Sequence, residues 1–395
     1  MKRNYCLRTI VICLITLVTF SGCNKPVSNN FATEIDSISK KWVPDKREGI
    51  CDVQLKSDGD RNILKGETNL PEAKSAIVDF LSGKNVEFID SLMLLPDTSI
   101  IKESWGLVTI SVCNIRISPS QDAEMVSQSI MGTPVKIMKQ RRGWFLIQTP
   151  DSYLGWTESE SVETMAAERF NGWKSSRRVI YLNKSGDIFT DVMEKGVVSD
   201  LVAGCILVPA GKEKGYQRVI LPDGRTGYIP GLTCMDLEKW SAGLKPDADN
   251  IVKTAFRFMG APYLWGGTSS KGMDCSGFVK TVFYLNGMVL ARDVSLQYRH
   301  VMHMTPSAYP DSLMTGDLLF FGSVREGKPR PTHVGIYLGD TEFIHCSGMV
   351  RVNSLDSARA NFSRYRKNIF LGAGRIIGLE PEAGTRLLSV NSWYK

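Results

Sequence analysis

The pattern of apolar and polar positions changes character several times along the 395 residues. An apolar run from Thr9 to Phe20 follows Lys2, Arg3 and Arg8 and leads into Ser21-Gly22-Cys23. A basic start, a short apolar stretch and small residues make a signal peptide over residues 1–22, and the run is too short for a membrane span. A polar tether, Asn24 to Asn30, begins a first unit of mixed pattern covering residues 23–105. Within it Ala73, Ala76, Ile77, Phe80 and Leu81 share one face of a helix that starts at Asn69-Leu-Pro-Glu, with Pro71 in its first turn.

Beyond residue 106 the period falls to two. Val112 through Ile117, Gly132-Thr-Pro-Val-Lys-Ile, Trp144-Phe-Leu-Ile and Asp151-Ser-Tyr-Leu-Gly-Trp156 read as short strands between Gly-rich turns. A second set ends alike, in Asp223-Gly-Arg-Thr-Gly-Tyr228. The repeated Asp-x-x-x-Gly-aromatic element predicts two copies of one small β-barrel, over 106–165 and 170–237. Leu244 to Asn250, with its Pro and Asp residues, opens the last unit, 245–395. There Ile251, Ala255 and Phe258 predict a helix capped by Gly260, and strand-like runs follow later, an α+β order.

Composition alters this picture little: 43% hydrophobic, 23% charged and a net charge of +7 describe an ordinary globular chain. No basic stripe interleaves with aromatics, so a nucleic-acid partner is not expected. Six of the nine cysteines (Cys51, Cys113, Cys205, Cys234, Cys275, Cys346) are scattered, with neither zinc spacing nor the density of a disulfide scaffold. Cys6 and Cys13 fall in the signal. Cys23, directly after small residues, resembles the cleavage box of bacterial lipoproteins, with Phe20 where Leu is usual. That implies export, lipid on Cys23 and a membrane anchor. The absence of an acidic run after Cys23 favours the periplasmic side, and plain secretion is the alternative.

Candidate chemistry sits in the last unit. Asp274-Cys275-Ser276-Gly277-Phe278 follows the Trp265-Gly-Gly-Thr loop and opens a helix, because Phe278, Val282 and Leu285 recur at helical spacing and Val279 and Phe283 widen the stripe. Asn286-Gly287 ends it. Unpaired N–H groups and the dipole of a helix start favour thiolate, so the Cys275 thiol is expected below its ordinary pKa. Alone, such a cysteine is more often a small buried hydrophobe.

Asp317-Leu-Leu-Phe-Phe-Gly, His333-Val-Gly-Ile-Tyr-Leu and Glu342-Phe-Ile-His345 read as strands, the last two joined by a Gly339-Asp340 hairpin. A turn tip near Gly339 sets His333 opposite His345, their side chains roughly 5 Å apart. That suits a base and its orienter, His333 taking the thiol proton and His345 fixing the tautomer. A metal pair or two surface histidines are the alternatives, and zinc would need a third ligand at hand. His300 and His303 read as structural or surface residues. Cys346, adjacent to His345 on one strand, is expected to face the other way, buried and inert.

These segments resemble the NlpC-type cell-wall cysteine peptidases, a papain-like family. The likeness covers about residues 245–378 through Pro262-Tyr-Leu-Trp-Gly-Gly, Asp274-Cys-Ser-Gly-Phe, Arg292-Asp-Val-Ser-Leu-Gln297, Gly316-Asp-Leu-Leu-Phe-Phe, His333-Val-Gly-Ile-Tyr and Phe343-Ile-His-Cys-Ser. It implies Cys275 as nucleophile, His333 as base, His345 as orienter and Tyr263 as a group that helps hold the oxyanion. On residue type alone Tyr263 suits packing equally well.

The Asp-x-x-x-Gly-aromatic repeat resembles bacterial SH3-like domains. Two of these ahead of the catalytic unit, with Ala123-Glu-Met-Val-Ser-Gln128 in the first, resemble the dipeptidyl-peptidase VI group of γ-D-glutamyl-L-diamino-acid endopeptidases, which require a free L-Ala amine. By that resemblance Glu124 would anchor the amine with Tyr153 at the same end, and Asp274, Ser276 and Ser295 would hold the D-Glu portion. A glutamate on such a loop is otherwise a solvated charge more often than a ligand. The expected architecture is a multidomain α+β one: an N-terminal α/β unit, two small SH3-like β-barrels and a papain-like α+β catalytic domain. Its expected substrate is a murein peptide, L-Ala-γ-D-Glu-diamino acid, cleaved without metal or cofactor. An endopeptidase of intact peptidoglycan and a non-catalytic wall-binding lipoprotein are the alternatives.

Overall fold

The computed structural model describes residues 31–59, 61–244, 246–304, 311–378 and 385–395. The signal run, the tether and Cys23 lie outside the described residues. Among the described residues no helix is long and apolar enough to cross a membrane.

In the first unit, helices Ala32–Trp42 and Pro71–Gly83 accompany a three-stranded sheet of Cys51–Asp58, Arg61–Thr68 and Ile89–Leu94. Pro71 takes the first helical position, where a missing N–H costs no hydrogen bond. Ile77 and Leu81 from that helix join Ile35, Leu55, Leu64 and Leu92 in the core. The helix carries the chain across to Ile89–Leu94, which pairs parallel with Arg61–Thr68.

Two seven-stranded antiparallel sheets follow. The first holds Trp105–Val108, Val112–Arg116, Met125–Ile130, Pro134–Arg141, Trp144–Gln148, Leu154–Glu158 and Val162–Met165. The second holds Val179–Tyr181, Ser185–Phe189, Val197–Val202, Ile206–Glu213, Tyr216–Ile220, Thr226–Pro230 and Cys234–Asp236. With strands counted in chain order within each sheet, the lateral order in both is three-two-six-five-four-one-seven.

The repeated sequence element has a shared cause. A Cβ on Gly155 or Gly227, both in strand six, would lie 2.4 Å or 2.5 Å from Cγ2 of Ile115 or Ile188 in strand two. Only glycine lets the two strands approach so closely. The closed barrels expected from the sequence are not formed, because strand seven, only four and three residues long, pairs with strand one alone. Each sheet curls over its own core instead; in the first, Val108, Ile115, Val135, Ile147 and Val162 meet although they come from five different strands.

The last unit sets helices Ala248–Phe256 and Cys275–Tyr284 against a six-stranded antiparallel sheet. Its lateral order is Met302–Met304, Phe370–Arg375, Leu318–Arg325, Lys328–Gly339, Glu342–Ser347 and Met349–Ser354. The first helix ends at Phe256, before the expected Gly260 cap, and Gly260 instead donates its N–H to the Val350 carbonyl at 2.9 Å. Helix Cys275–Tyr284 is buried along nearly its whole length, which accounts for its widened apolar stripe. Both seven-stranded sheets dock on this helix and the segment before it. Tyr284 Oη donates to the Gly204 carbonyl at 3.1 Å, the Thr268 N–H donates to Gln128 Oε1 at 3.0 Å, and Lys280 forms a 2.6 Å ion pair with buried Asp151. These contacts fix the first sheet against the middle of the helix and the strand before it, and the second sheet against the helix end.

Candidate active site

Cys275 is the first residue of its helix and Asp274 the cap, whose Oδ1 accepts the Gly277 N–H at 2.7 Å. The Trp265-Gly-Gly loop lies across this turn, and Asp274 Oδ2 accepts the Gly266 N–H at 3.0 Å. A Cβ on Gly277 would stand 2.0 Å from the Gly267 carbonyl oxygen, so glycine is what allows loop and helix to touch.

His333 and His345 stand on adjacent strands, with His333 Nε2 2.7 Å from His345 Nδ1. They are not directly opposite, as a tip at Gly339 would make them. The turn residues are Asp340 and Thr341, both at positive φ, and the register shifts between Tyr337 and Gly339. Ile336 therefore pairs with Ile344, Gly335 falls beside His345, and His333 lies one diagonal step away. A Cβ on Gly335 would come within 3.1 Å of His345 Cβ and 2.9 Å of the Phe343 ring. Glycine there leaves the rings room to meet.

Asn353 completes the line, and sequence reasoning missed it. Its Oδ1 lies 2.9 Å from His345 Nε2, while its Nδ2 donates to the Asn361 carbonyl at 2.9 Å. The second bond fixes the amide orientation, so Oδ1 accepts from His345 Nε2–H. His345 Nδ1 then accepts from His333 Nε2–H, and His333 Nδ1 keeps a free lone pair able to take a proton. The available signal was spacing: Asn353 pairs across from Phe343, one diagonal step from His345. Burial holds both imidazoles below their ordinary range, His345 at about 4 and His333 well down, with Arg366 adding to the effect. Asn353→Ala should lower kcat/KM about tenfold, the worth of one hydrogen bond in fixing the tautomer. Steady-state rates equal to those of the unmodified protein would remove Asn353 from the line.

The thiol departs from the sequence expectation. Burial and the Asp274 carboxylate push Cys275 up to about 11, while the N–H groups of Val334 and Ser276 pull the other way. The helix start acts as expected but desolvation outweighs it. Both shifts favour the uncharged pair, a thiol beside a neutral imidazole, and from that pair proton transfer accompanies attack. Cys346 is fully buried, donates to the Met273 carbonyl at 3.0 Å and is pushed up to about 12 by burial. Both thiols are unbridged.

Cys275 and His333 line a cleft of about 690 Å³ together with Tyr263, Glu124, Tyr153, Asp274, Ser276 and Ser295. Burial and nearby Cys275 push the Tyr263 hydroxyl up to about 12, so it stays protonated at neutral pH. Glu124 is exposed and accepts from Trp265 Nε1 at 2.7 Å. Asp274 is turned inward: Arg292 donates from Nη2 to Oδ2 at 2.6 Å and from Nη1 to Oδ1 at 3.1 Å. Ser276 Oγ donates to Asp274 Oδ1 at 3.2 Å and accepts from Arg292 Nη1 at 3.0 Å. Arg292, which lines the cleft, is thus the cation beside the site. Its signal was an arginine directly after the apolar run Met288 to Ala291. Tyr153 donates to Asp293 Oδ2 at 3.0 Å, and Ser295 Oγ accepts from Arg47 Nη2 at 3.0 Å. Asp293 and Arg47 also line the cleft, and neither had been given a role.

Residues 260–368 match the NlpC/P60 family. The chain carries an NlpC/P60 cysteine-peptidase domain. Residues 115–162 match the bacterial dipeptidyl-peptidase SH3 domain, within the first seven-stranded sheet. Among curated proteins, dipeptidyl-peptidase 6 of Lysinibacillus sphaericus is 28% identical over 271 residues, covering 64% of this chain and 92% of that one. The γ-D-glutamyl-L-lysine dipeptidyl-peptidase of Bacillus subtilis is 28% identical over 266 residues, covering 65% of this chain and 82% of its own. A solved NlpC/P60 family protein from Bacillus cereus superimposes with a TM-score of 0.60 at 20% identity, over 69% of this chain and all of that one, a likeness of fold.

Proposed function

We propose that this protein hydrolyses the γ-D-glutamyl–diamino acid bond of murein peptides whose L-Ala amine is free. The reading rests on one observation: a single cleft holds Cys275 and His333 together with two carboxylates, Glu124 and Asp293. Its named relatives among dipeptidyl-peptidases support it. His333 Nδ1 takes the Cys275 proton as sulfur attacks the γ-carbonyl carbon of D-Glu, and the carbonyl electron pair moves to oxygen. The backbone N–H of Cys275 and the Tyr263 hydroxyl hold that oxyanion. Collapse breaks the C–N bond, and the departing amine of the diamino acid receives the proton from imidazolium. Water, deprotonated by the same imidazole, then cleaves the thioester and restores the thiol.

At the other end of the cleft a substrate ammonium pairs with Asp293 and Glu124, while Arg292 and Ser276 suit the α-carboxylate of D-Glu. Mass spectrometry of products from L-Ala-γ-D-Glu-diaminopimelate should show release of free diaminopimelate. Acetylating the amine should lower kcat/KM about 10- to 100-fold, the value of a lost charged hydrogen bond. Equal cleavage of both peptides, or preference for intact sacculi, would overturn the reading.

The second seven-stranded sheet, with the strand order of the first, is by this proposal a second SH3-like domain, and residues 31–105 are a separate N-terminal unit. The chain is further proposed to be exported and anchored through lipid on Cys23. Cys23→Ala should move it from the membrane to the soluble fraction and end its labelling by a palmitate analogue. Retained labelling would exclude Cys23 as the lipid site.

A further inference from the structure

The N-terminal unit reaches into the cleft. Lys46, Arg47 and Ile50 line it, between helix Ala32–Trp42 and strand Cys51–Asp58. Two backbone-level contacts fix this segment on the first seven-stranded sheet: the Leu154 N–H donates to the Arg47 carbonyl at 2.7 Å, and Gln148 Nε2 to the Glu48 carbonyl at 2.9 Å. Arg47 is gripped along one edge by Asp45, with Nε to Oδ1 at 2.8 Å and Nη2 to Oδ2 at 2.7 Å. Its other amine, Nη1, donates to Asp293 Oδ2 at 2.7 Å.

Asp293 is in an unusual position. It is the N-cap residue of helix Val294–Arg299, yet its side chain makes no capping hydrogen bond. An aspartate there ordinarily accepts an N–H of the first turn. This one is turned toward the cleft, where Arg47 and Tyr153 both donate to Oδ2 and no described group donates to Oδ1. Arg47 bridges Asp45 and Asp293 from two edges of one guanidinium and meets only Oδ2 of Asp293, which leaves Oδ1 for a ligand. Lys46 stands exposed at the rim and makes no comparable contact.

We infer that Arg47 is a positioning residue: the N-terminal unit holds Asp293 away from its helix cap, with one carboxylate oxygen open to the substrate ammonium. The unit is then part of the specificity apparatus for the free amine. This rests on the amine reading proposed above and assigns to a segment outside both matched domains the task of shaping that end of the cleft.

The test uses the full chain and two peptides, L-Ala-γ-D-Glu-diaminopimelate and its N-acetyl form. Arg47→Met should raise KM for the free-amine peptide about tenfold, leave kcat within about twofold, and leave the N-acetyl peptide unchanged, so that the preference shrinks. Arg47→Lys, which keeps one charged donor, should recover part of it. Arg299→Met is the docking control. Arg299 ties the same segment down through Asp45 at 3.0 Å and Glu48 at 3.3 Å without touching Asp293, and its loss should leave the preference intact. If Arg47→Met lowers both peptides equally, or neither, Arg47 only docks the unit and the inference is wrong. If the unmodified protein shows no preference for the free amine, the amine reading itself fails and this inference falls with it.

Discussion

Cys275→Ala is expected to reduce kcat/KM by about 10⁵-fold or more, the scale on which removing a nucleophile from an activated set acts. The proposed mechanism gives no second route. The free lone pair of His333 faces a role as base for sulfur, and water alone would have to attack an amide without a covalent intermediate. Folding should be almost untouched. Cys275 contributes one sulfur at the first turn of a helix whose cap, Asp274, and whose buried Phe278, Val279, Val282 and Phe283 remain. A change in stability of about 1 kcal/mol is the expected scale. Mass spectrometry of the product mixture and a thermal melt on the same sample separate the two effects. Turnover retained in Cys275→Ala, with other thiols such as Cys346 still buried, would dismiss the thioester mechanism. Cys275→Ser should be nearly as inactive, because a hydroxyl is harder than a thiol for the same neutral imidazole to deprotonate.

What the sequence disclosed follows from how local each feature is. The helix opening at Cys275 was readable because its cap, its apolar stripe and its glycines lie within a few residues of one another. The doubling of the seven-stranded sheets was readable in the glycine of Asp-x-x-x-Gly-aromatic, since each of those glycines answers a fixed crossing by an isoleucine. That His333 and His345 meet was legible in hairpin spacing, but their diagonal relation was not, because it depends on a register shift between Tyr337 and Gly339. The direction in which the thiol shifts was not legible. A helix start is visible in sequence, whereas the burial that outweighs it is created by a sheet some sixty residues away. Least legible was Arg47. Nothing near it distinguishes Lys46-Arg47 from an ordinary polar loop, and its meaning comes from Asp293, 246 residues on. The substrate assignments made by resemblance had the same limit: nothing in the sequence around Asp274 shows the buried arginine that pairs with it.

That arginine carries the largest structural effect expected. Arg292 is 1% exposed and its Nε donates to Ser127 Oγ of the first seven-stranded sheet at 3.1 Å, so it joins two units as well as two charges. Arg292→Met keeps the aliphatic volume but leaves the Asp274 carboxylate buried with no cation. Removing one partner of a buried pair costs about 3–5 kcal/mol, since the remaining charge has lost its compensation. Asp274 retains the N–H groups of Gly277 and Gly266, which places the expected loss at the lower end, about 3 kcal/mol. Chemical denaturation followed by tryptophan fluorescence measures it. The double variant Asp274→Asn with Arg292→Met distinguishes the cause: with the charge gone, the single amide oxygen still accepts the Gly277 N–H of the helix, and part of the loss should return. Catalysis should not return with it, because the cation beside the D-Glu carboxylate is still missing and the KM of the free-amine peptide should stay high. Should Arg292→Met alone prove as stable as the parent, the Asp274 charge does not depend on the guanidinium for its compensation. The two readouts thus divide the residue's work: stability follows the Asp274 charge, and substrate affinity follows the guanidinium itself.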